Sequence, residues 1–107
     1  MNPMDDKICI KSIKQIMEIF GGKWSFLIIG ELHTGSKHFN ELIKNLGIST
    51  KALSDVLKKL ELNGIITRTV HSTTPIKVEY SLTDKGRDFE EVFIAMRNWG
   101  MKWLKDE

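Results

Sequence analysis

Hydroxyl and ammonium groups share one face of a predicted helix in the stretch GISTKALSDVLKKLELNG, residues 47–64. That polar face carries Ser49, Thr50, Lys51, Ser54 and Lys58. The opposite face is apolar with the helical spacing i, i+3, i+4 and i+7, and it consists of Leu53, Val56, Leu57 and Leu60. Hydroxyls hydrogen-bond to base edges, and ammonium groups bind phosphates. The polar face is therefore typical of a helix that enters a nucleic-acid groove.

The expected roles of these polar residues differ with their position along the helix. Ser49, Thr50 and Lys51 come at the N-terminal end, which contacts base edges in helix-turn-helix proteins. Ser54 lies one turn further along the same face, and Lys58 lies one turn beyond that. We therefore expect the N-terminal residues to select bases, whereas Lys58 would hold a phosphate.

An ordinary solvated surface is the alternative interpretation of this face. Asp55 fits DNA poorly, since it repels phosphates unless it accepts a hydrogen bond from cytosine or pairs with Lys51 or Lys59. The charge distribution favours DNA, because residues 32–82 hold seven Lys/Arg against four Asp/Glu, a balance of +3. The whole chain has a net charge of +2, so the residues outside that segment have a net charge of −1.

The residues before this helix predict a helix-turn-helix. A short third helix has one apolar side formed by Phe39, Leu42, Ile43 and Leu46. Gly47 is expected to end it in the left-handed conformation, and Ser49 is expected to cap the next helix. Two helices joined by so short a turn form the motif. Lys37 and Asn40, at the predicted start of the third helix, are expected to donate to phosphate.

Apolar and polar residues alternate in the segment after Gly64, and this alternation predicts a β-hairpin. Its second strand has one buried face, formed by Ile76, Val78, Tyr80 and Leu82. The β-branched run 65–70 is expected to pair with it across an exposed turn, and a hairpin after a helix-turn-helix makes a winged helix. In this wing, Arg68, His71 and Lys77 would contact backbone or minor-groove phosphates. An ordinary polar hairpin is the alternative.

The two ends of the chain predict helices with exposed apolar stripes. Ser12 and Gln15 match a capping box, so the first helix is expected to begin at Ser12 after an arm of about residues 1–11 and to end at Gly21. A largely buried second helix follows from about Lys23 to His33, with Trp24, Leu27, Ile28 and Leu32 as its main stripe. A last helix is expected from Thr83 to about residue 105. Its apolar stripe, formed by Phe89, Phe93, Met96, Trp99 and Trp103, predicts a homodimer interface.

The chain is therefore expected to be one winged helix-turn-helix domain over residues 1–107, mainly α with a small β-hairpin. Its parts are the arm (about 1–11), the helix-turn-helix (37–63), the wing (65–82) and a C-terminal dimerisation helix (83–105).

One cysteine, Cys9, excludes an intramolecular disulfide and suits a reducing cytosol. The apolar run near Leu27 to Ile29 is too short to span a bilayer, and nothing resembles a signal peptide. We therefore expect a cytoplasmic protein without membrane contact.

The sequence offers no catalytic constellation. Its three histidines, His33, His38 and His71, lack metal-ligand spacing, and no paired cysteines or HExxH helix are present. Gly21-Gly22 separates two helices and does not follow a strand, as a phosphate-binding loop would. We therefore expect no enzyme, no metal and no cofactor.

Three stretches resemble the HxlR-type branch of winged-helix transcription regulators, relatives of the MarR group. They are IFGGKWSFLIIGEL, HFNELIKNLGISTKALSDVLKKLELNGIITRTV and VEYSLTDKGRDF, followed by a Trp-containing last helix. The resemblance covers about Met17 to Trp103 in one order. It implies a cytoplasmic bacterial or archaeal homodimer that binds double-stranded DNA. The first and last helices, with Ile13 and Met17 on the first, would form the interface, and the helix after Gly47 would enter the major groove.

The resemblance also raises the question of a signal. Many family members have a Cys-Pro pair near the N-terminus, which some use to sense oxidants or electrophiles. Here Ile10 follows Cys9, so Cys9 is a candidate redox sensor with an inert side chain as the alternative. An unknown small-molecule effector is a further option, in a pocket near Trp24 and Trp99. The rival function is a winged-helix module for protein–protein contact, which would expose apolar residues where this helix exposes Ser, Thr and Lys.

Overall fold

The computed structural model describes residues 7–104, which form six helices and one small antiparallel sheet. In chain order the elements are α1 (Lys7–Phe20), α2 (Lys23–His33), β1 (Lys37–His38), α3 (Phe39–Leu46), α4 (Thr50–Leu62), β2 (Ile66–His71), β3 (Lys77–Leu82), α5 (Asp84–Asp88) and α6 (Glu90–Trp103). The mainly helical fold class with a small wing is confirmed.

The wing contains a strand that the sequence did not predict. The sheet order is β1-β3-β2, with Ile66 opposite Leu82 and Arg68 opposite Tyr80 in the predicted hairpin. On the other side of β3, Lys37 pairs with Tyr80. The expected position of Lys37 at the start of α3 is therefore wrong, because Lys37 pairs as a strand residue and α3 begins two residues later.

The core surrounds α2, as predicted. Ile28, Ile29 and Leu32 of this helix are fully buried. They lie in one cluster with residues of α3, α4 and the sheet, including Leu42, Leu53, Leu57, Leu60, Ile66 and Leu82. Leu27 was expected in the buried stripe but is 44% exposed. The buried side of α2 is rotated towards Ser25 and Ile29, so Leu27 falls outside it.

Helix α1 begins earlier than predicted. Its first described residue is Lys7, so Ser12 lies within the helix, and the expected start at a Ser12 capping box is wrong. The expected arm is wrong for residues 7–11, because the apolar spacing of Ile10, Ile13 and Met17 continues one helical face through them. Residues 1–6 lie outside the described part of the chain. The predicted end before Gly21 is confirmed.

The C-terminal helix is interrupted. Thr83 caps α5 as expected, since its Oγ1 accepts a hydrogen bond from the Gly86 N–H at 3.1 Å. One continuous helix from Thr83 is wrong, because α5 ends at Asp88 and α6 begins at Glu90. At the break, the ring of Phe89 stacks on Phe20 with centroids 4.3 Å apart. The interruption thus accompanies an aromatic contact between this junction and the end of α1.

Candidate nucleic-acid interface

The turn between α3 and α4 has the geometry that the sequence predicted. Gly47 ends α3 at φ +68°, a left-handed conformation that glycine adopts without steric cost. Ile48 is buried, and Ser49 accepts a hydrogen bond on Oγ from the Ala52 N–H at 3.2 Å. This cap starts α4 at Thr50 and fixes the direction in which the helix leaves the turn.

Helix α4 turns its polar face outward. Leu53, Leu57 and Leu60 are buried. The predicted contact residues lie on the other side, where Ser49, Thr50, Lys51 and Lys58 are exposed and Ser54 is half-buried. The amphipathic division of this helix is confirmed, and it leaves the N-terminal hydroxyls and lysines accessible to a large ligand.

Asp55 forms an ion pair with Lys51, which was one of the arrangements that the sequence left open. The Lys51 Nζ lies 3.3 Å from Oδ2 of Asp55, four residues further along the helix. Both side chains are largely exposed, so water and salt screen the pair strongly. A hydrogen-bond acceptor on a ligand can therefore replace the carboxylate as the partner of this ammonium group at small cost.

Lys37 and Asn40 differ in their availability. The Lys37 ammonium donates to Thr34 Oγ1 at 2.8 Å and to the Gly35 carbonyl at 3.3 Å, so the loop before β1 holds it. Asn40 is exposed in the first turn of α3. Of the two residues that we expected to contact phosphate here, Asn40 is thus the more accessible.

The wing residues divide into two groups. Arg68 lies opposite Tyr80 in the sheet and faces α4 across a cleft of about 390 Å³, which also contains Ser54 and Lys58. His71 and Lys77 face each other at the far end of the hairpin. There the His71 Nε2 lies 3.7 Å from Oε1 of Glu79. The structure therefore brings Ser54, Lys58 and Arg68 together and leaves His71 and Lys77 at the exposed wing tip.

Two contacts that the sequence did not predict hold the C-terminal end of α4. The Lys85 ammonium donates to the Asn63 carbonyl at 2.7 Å, and Thr83 Oγ1 donates to the Gly64 carbonyl at 2.5 Å. A cation at the C-terminal end of a helix also interacts favourably with the helix dipole. The stretch TDKG contained the required groups, but their partners lie about twenty residues away, and no spacing in the sequence revealed that.

The predicted dimer residues fall into two sets. Ile13, Met17 and Met96 are about half exposed, and Trp99 and Trp103 expose 60% and 63% of their surface. Phe89 and Phe93 are only partly exposed and pack on their own chain, Phe89 against Phe20 and Phe93 against Gly30. The accessible apolar surface on the terminal helices therefore depends on the methionines, the tryptophans and the isoleucines of α1.

Cys9 lies inside α1 and not ahead of the first helix as expected, and its thiol is partly exposed. Among residues 7–104, no group of three or more His, Cys, Asp or Glu side chains is placed to hold a metal ion. No helix in the same range is long and apolar enough to cross a bilayer.

A helix-turn-helix with an exposed polar second helix, followed by an antiparallel wing, defines the winged-helix class of DNA-binding proteins. The sequence profile of the HxlR-like helix-turn-helix family matches residues 19–107. The chain belongs to this family.

Individual relatives agree with the family. The uncharacterized HTH-type transcriptional regulator sll1512 of Synechocystis is 42% identical over 96 residues, which are 89% of this chain and 71% of the relative. YdeP of Bacillus subtilis, also an uncharacterized HTH-type transcriptional regulator, is 40% identical over 85% of this chain and 72% of its own length.

Among solved structures, the redox regulator HypR in its reduced form superimposes with a TM-score of 0.81 at 35% identity. The match covers 85% of this chain and 91% of HypR. The family and these relatives are transcriptional regulators, so this chain is a transcriptional regulator of the helix-turn-helix type and not an enzyme.

Proposed function

We propose that this regulator binds an inverted-repeat operator in duplex DNA as a homodimer, with α4 of each protomer in the major groove. The exposed N-terminal face of α4 is the observation that carries the proposal. Thr50 and Lys51 project from a helix end that the Ser49 cap holds in place. These groups supply a hydroxyl and an ammonium at the end of the helix that contacts base edges in this class.

The remaining contacts grip the backbone. Lys58 and Arg68 lie beside the recognition face, His71 and Lys77 extend the positive surface along the wing, and Asn40 lies at the start of α3. Phosphate contacts of this kind set position and salt dependence but carry little sequence information. Sequence selection would therefore depend mainly on the first turn of α4.

The exposed apolar residues of α1 and α6 support the homodimer. Trp99 and Trp103 are large, and a single protomer leaves most of their surface in water. Contiguous apolar patches of this kind mark interfaces. A twofold dimer would place its two α4 helices in successive major grooves about 34 Å, or ~10 base pairs, apart.

A redox signal would enter through Cys9, the single cysteine of the chain. Its thiol is partly exposed on α1, the helix that we assign to the interface. Oxidation there would change the packing of α1 and, through the interface, the separation of the two α4 helices. An effector of another kind, a small molecule, stays a prediction. The regulator would act on DNA in the cytoplasm.

DNA binding across a salt series tests the proposal directly. Selection of fragments from the source genome by the full chain should yield inverted repeats with half-sites about one helical turn apart. The logarithm of the affinity should fall linearly with the logarithm of salt concentration, because phosphate contacts release counterions. If the chain retains no DNA even at low salt, the proposal is wrong and a protein-interaction module explains the polar face instead.

A further inference from the structure

A cleft between α4 and the wing brings two cations next to a buried tyrosine. Its volume is about 390 Å³, and it is lined by Ser54, Leu57, Lys58, Glu61, Arg68 and Tyr80. Tyr80 is on β3 directly opposite Arg68 on β2, so the two side chains share one face of the sheet. The other lining residues come from one side of α4.

The Tyr80 hydroxyl has no protein partner. The residue is only 8% exposed, yet within residues 7–104 its hydroxyl forms no hydrogen bond. The hydroxyl oxygen itself reaches solvent, because among the described residues the only buried side-chain nitrogen or oxygen without a partner is His33 Nε2. Water in the cleft can therefore satisfy this hydroxyl when no ligand is bound. A hydroxyl at the wall of an open polar cleft can instead donate to a ligand that enters the cleft.

The charge of the cleft favours an oxyanion. Neither Lys58 nor Arg68 forms an ion pair with any residue that the structure describes. Glu61 is the one acid among the lining residues, so the cleft has a net positive charge. A guanidinium, an ammonium and a neutral hydroxyl donor form a suitable donor set for one phosphate group.

We propose that this cleft binds one phosphate of the DNA backbone, with the Tyr80 hydroxyl as a hydrogen-bond donor beside Arg68 and Lys58. The proposal rests on the proposed DNA-binding function and adds to it a contact from the base of the wing. The polar face of α4 continues into the cleft through Ser54 and Lys58, so a strand that follows this face would pass its mouth. A phosphate bound there would join the recognition helix to the wing.

Tyr80→Phe tests the contact, because it removes the hydroxyl and keeps the buried ring. We expect it to weaken binding of both an operator and random duplex at least about a hundredfold, since each dimer then lacks two hydrogen bonds to charged acceptors. The slope of log affinity against log salt should stay unchanged, because the hydroxyl carries no charge. Arg68→Ala should instead reduce the slope by about one for each phosphate that the guanidinium no longer neutralises.

Thr69→Val is the matched control. It removes a hydroxyl from the neighbouring β2 residue, which pairs with Glu79 and so lies on the opposite face of the sheet. This control should bind DNA as the parent chain does. Thermal unfolding of Tyr80→Phe, run in parallel, should match that of the parent and would show that any loss of binding is not a loss of folding.

The outcomes separate this inference from the function on which it rests. If the parent chain binds DNA and Tyr80→Phe binds equally well, the tyrosine contact is wrong and the DNA-binding function stands. If the parent chain does not bind DNA, the function itself fails. A third arm adds inorganic phosphate at constant ionic strength. Stabilisation of the parent but not of Tyr80→Phe, with DNA binding unchanged, would mean a free-oxyanion site and would overturn the assignment to DNA.

Discussion

Gly30 of α2 leaves the space into which the ring of Phe93 from α6 packs. A Cβ atom at Gly30 would lie 2.8 Å from Cζ of Phe93, well inside van der Waals contact. The same ring lies against His33, with centroids 5.8 Å apart. Because α2 also packs against α4, this contact links the proposed dimerisation helix to the recognition helix through one intervening element.

Gly30→Ala should therefore destabilise the protein. The methyl group forces the Phe93 ring or the whole of α6 to shift, and overpacking of this kind costs about 1–3 kcal/mol. The alanine recovers up to about 1 kcal/mol through its better helix propensity. We expect a net loss of about 1 kcal/mol in the free energy of unfolding, measured by urea denaturation at one fixed protein concentration.

Gly100→Ala is the control for this change. Gly100 also lies inside a helix, and no described atom of its own chain within 4 Å would meet its Cβ, so the same substitution should stabilise the separated protomer by about 0.5–1 kcal/mol. Adding Phe93→Leu to Gly30→Ala should restore part of the loss, because the shorter side chain leaves room for the methyl. Equal effects of the two glycine substitutions would show that Phe93 does not depend on Gly30.

The homodimer is tested by a charge in the exposed stripe of α6. The parent chain should sediment at micromolar concentration as a species of about twice 12.3 kDa. Trp99→Lys places an ammonium in the proposed interface and should shift the species towards the monomer. Leu62→Lys is the matched control, because Leu62 is 88% exposed but lies at the end of α4. A parent chain that sediments as a monomer would contradict the interface.

Helices and strands long enough to repeat their apolar pattern could be predicted from the sequence, whereas shorter elements could not. The bounds of α2, the end of α3 at Gly47 and the pairing of β2 with β3 agree with the patterns that indicated them. Strand β1 has two residues, Lys37 and His38, too few to show any alternation. It is a strand only because the edge of β3 is available to pair with it.

The candidate site shows the same limit. The polar face of α4 follows from helical periodicity, so Thr50 and Lys51 could be placed from the sequence. The binding of Lys37 by Thr34 and the position of Tyr80 beside Arg68 depend on the loop conformation and the sheet register. The helix start that we predicted from the capping box at Ser12 was wrong for a related reason. The helical pattern of α1 extends past Ser12 towards the N-terminus.

Ser49 has two assigned roles, cap and DNA contact, and Ser49→Asp separates them. Aspartate caps a helix about as well as serine and interacts favourably with the helix dipole, so the stability should be retained. Its carboxylate would repel phosphates, so affinity for operator and random DNA should both fall at least tenfold. Ser49→Ala should instead lower the free energy of unfolding by about 1 kcal/mol, because alanine cannot cap the helix. Unchanged DNA binding by Ser49→Asp would place the start of α4 away from DNA.

The role of Cys9 is tested with Cys9→Ser under mild peroxide. If oxidation of this thiol alters the interface, peroxide should change the DNA affinity of the parent chain and leave that of Cys9→Ser unchanged, since serine keeps the size but cannot be oxidised in this way. Non-reducing electrophoresis would show whether the product is a disulfide between protomers. An unaltered affinity of the parent chain after peroxide would leave Cys9 as an inert side chain.

Substitution of Lys51 and of Asp55, the two members of the exposed ion pair, should change the affinity for DNA in opposite directions. Lys51→Ala should cost roughly 1–3 kcal/mol on the operator and much less on random DNA, because it removes a base contact. Asp55→Asn should strengthen binding to random DNA, since it removes a negative charge from the face and releases the ammonium group 3.3 Å away. Neither change should alter stability measurably, because the pair is exposed.

A double-variant cycle on these two residues decides between DNA reading and a solvated surface. If Lys51 exchanges Asp55 for DNA, part of the gain from Asp55→Asn should disappear in the Lys51→Ala background, because no ammonium group is left to release. Lys44→Ala is the control, since Lys44 is exposed in the last turn of α3 and carries the same charge. It should lower the affinity for the operator and for random DNA by the same small factor. If Lys51→Ala behaves like Lys44→Ala on every duplex, the polar face of α4 does not select bases.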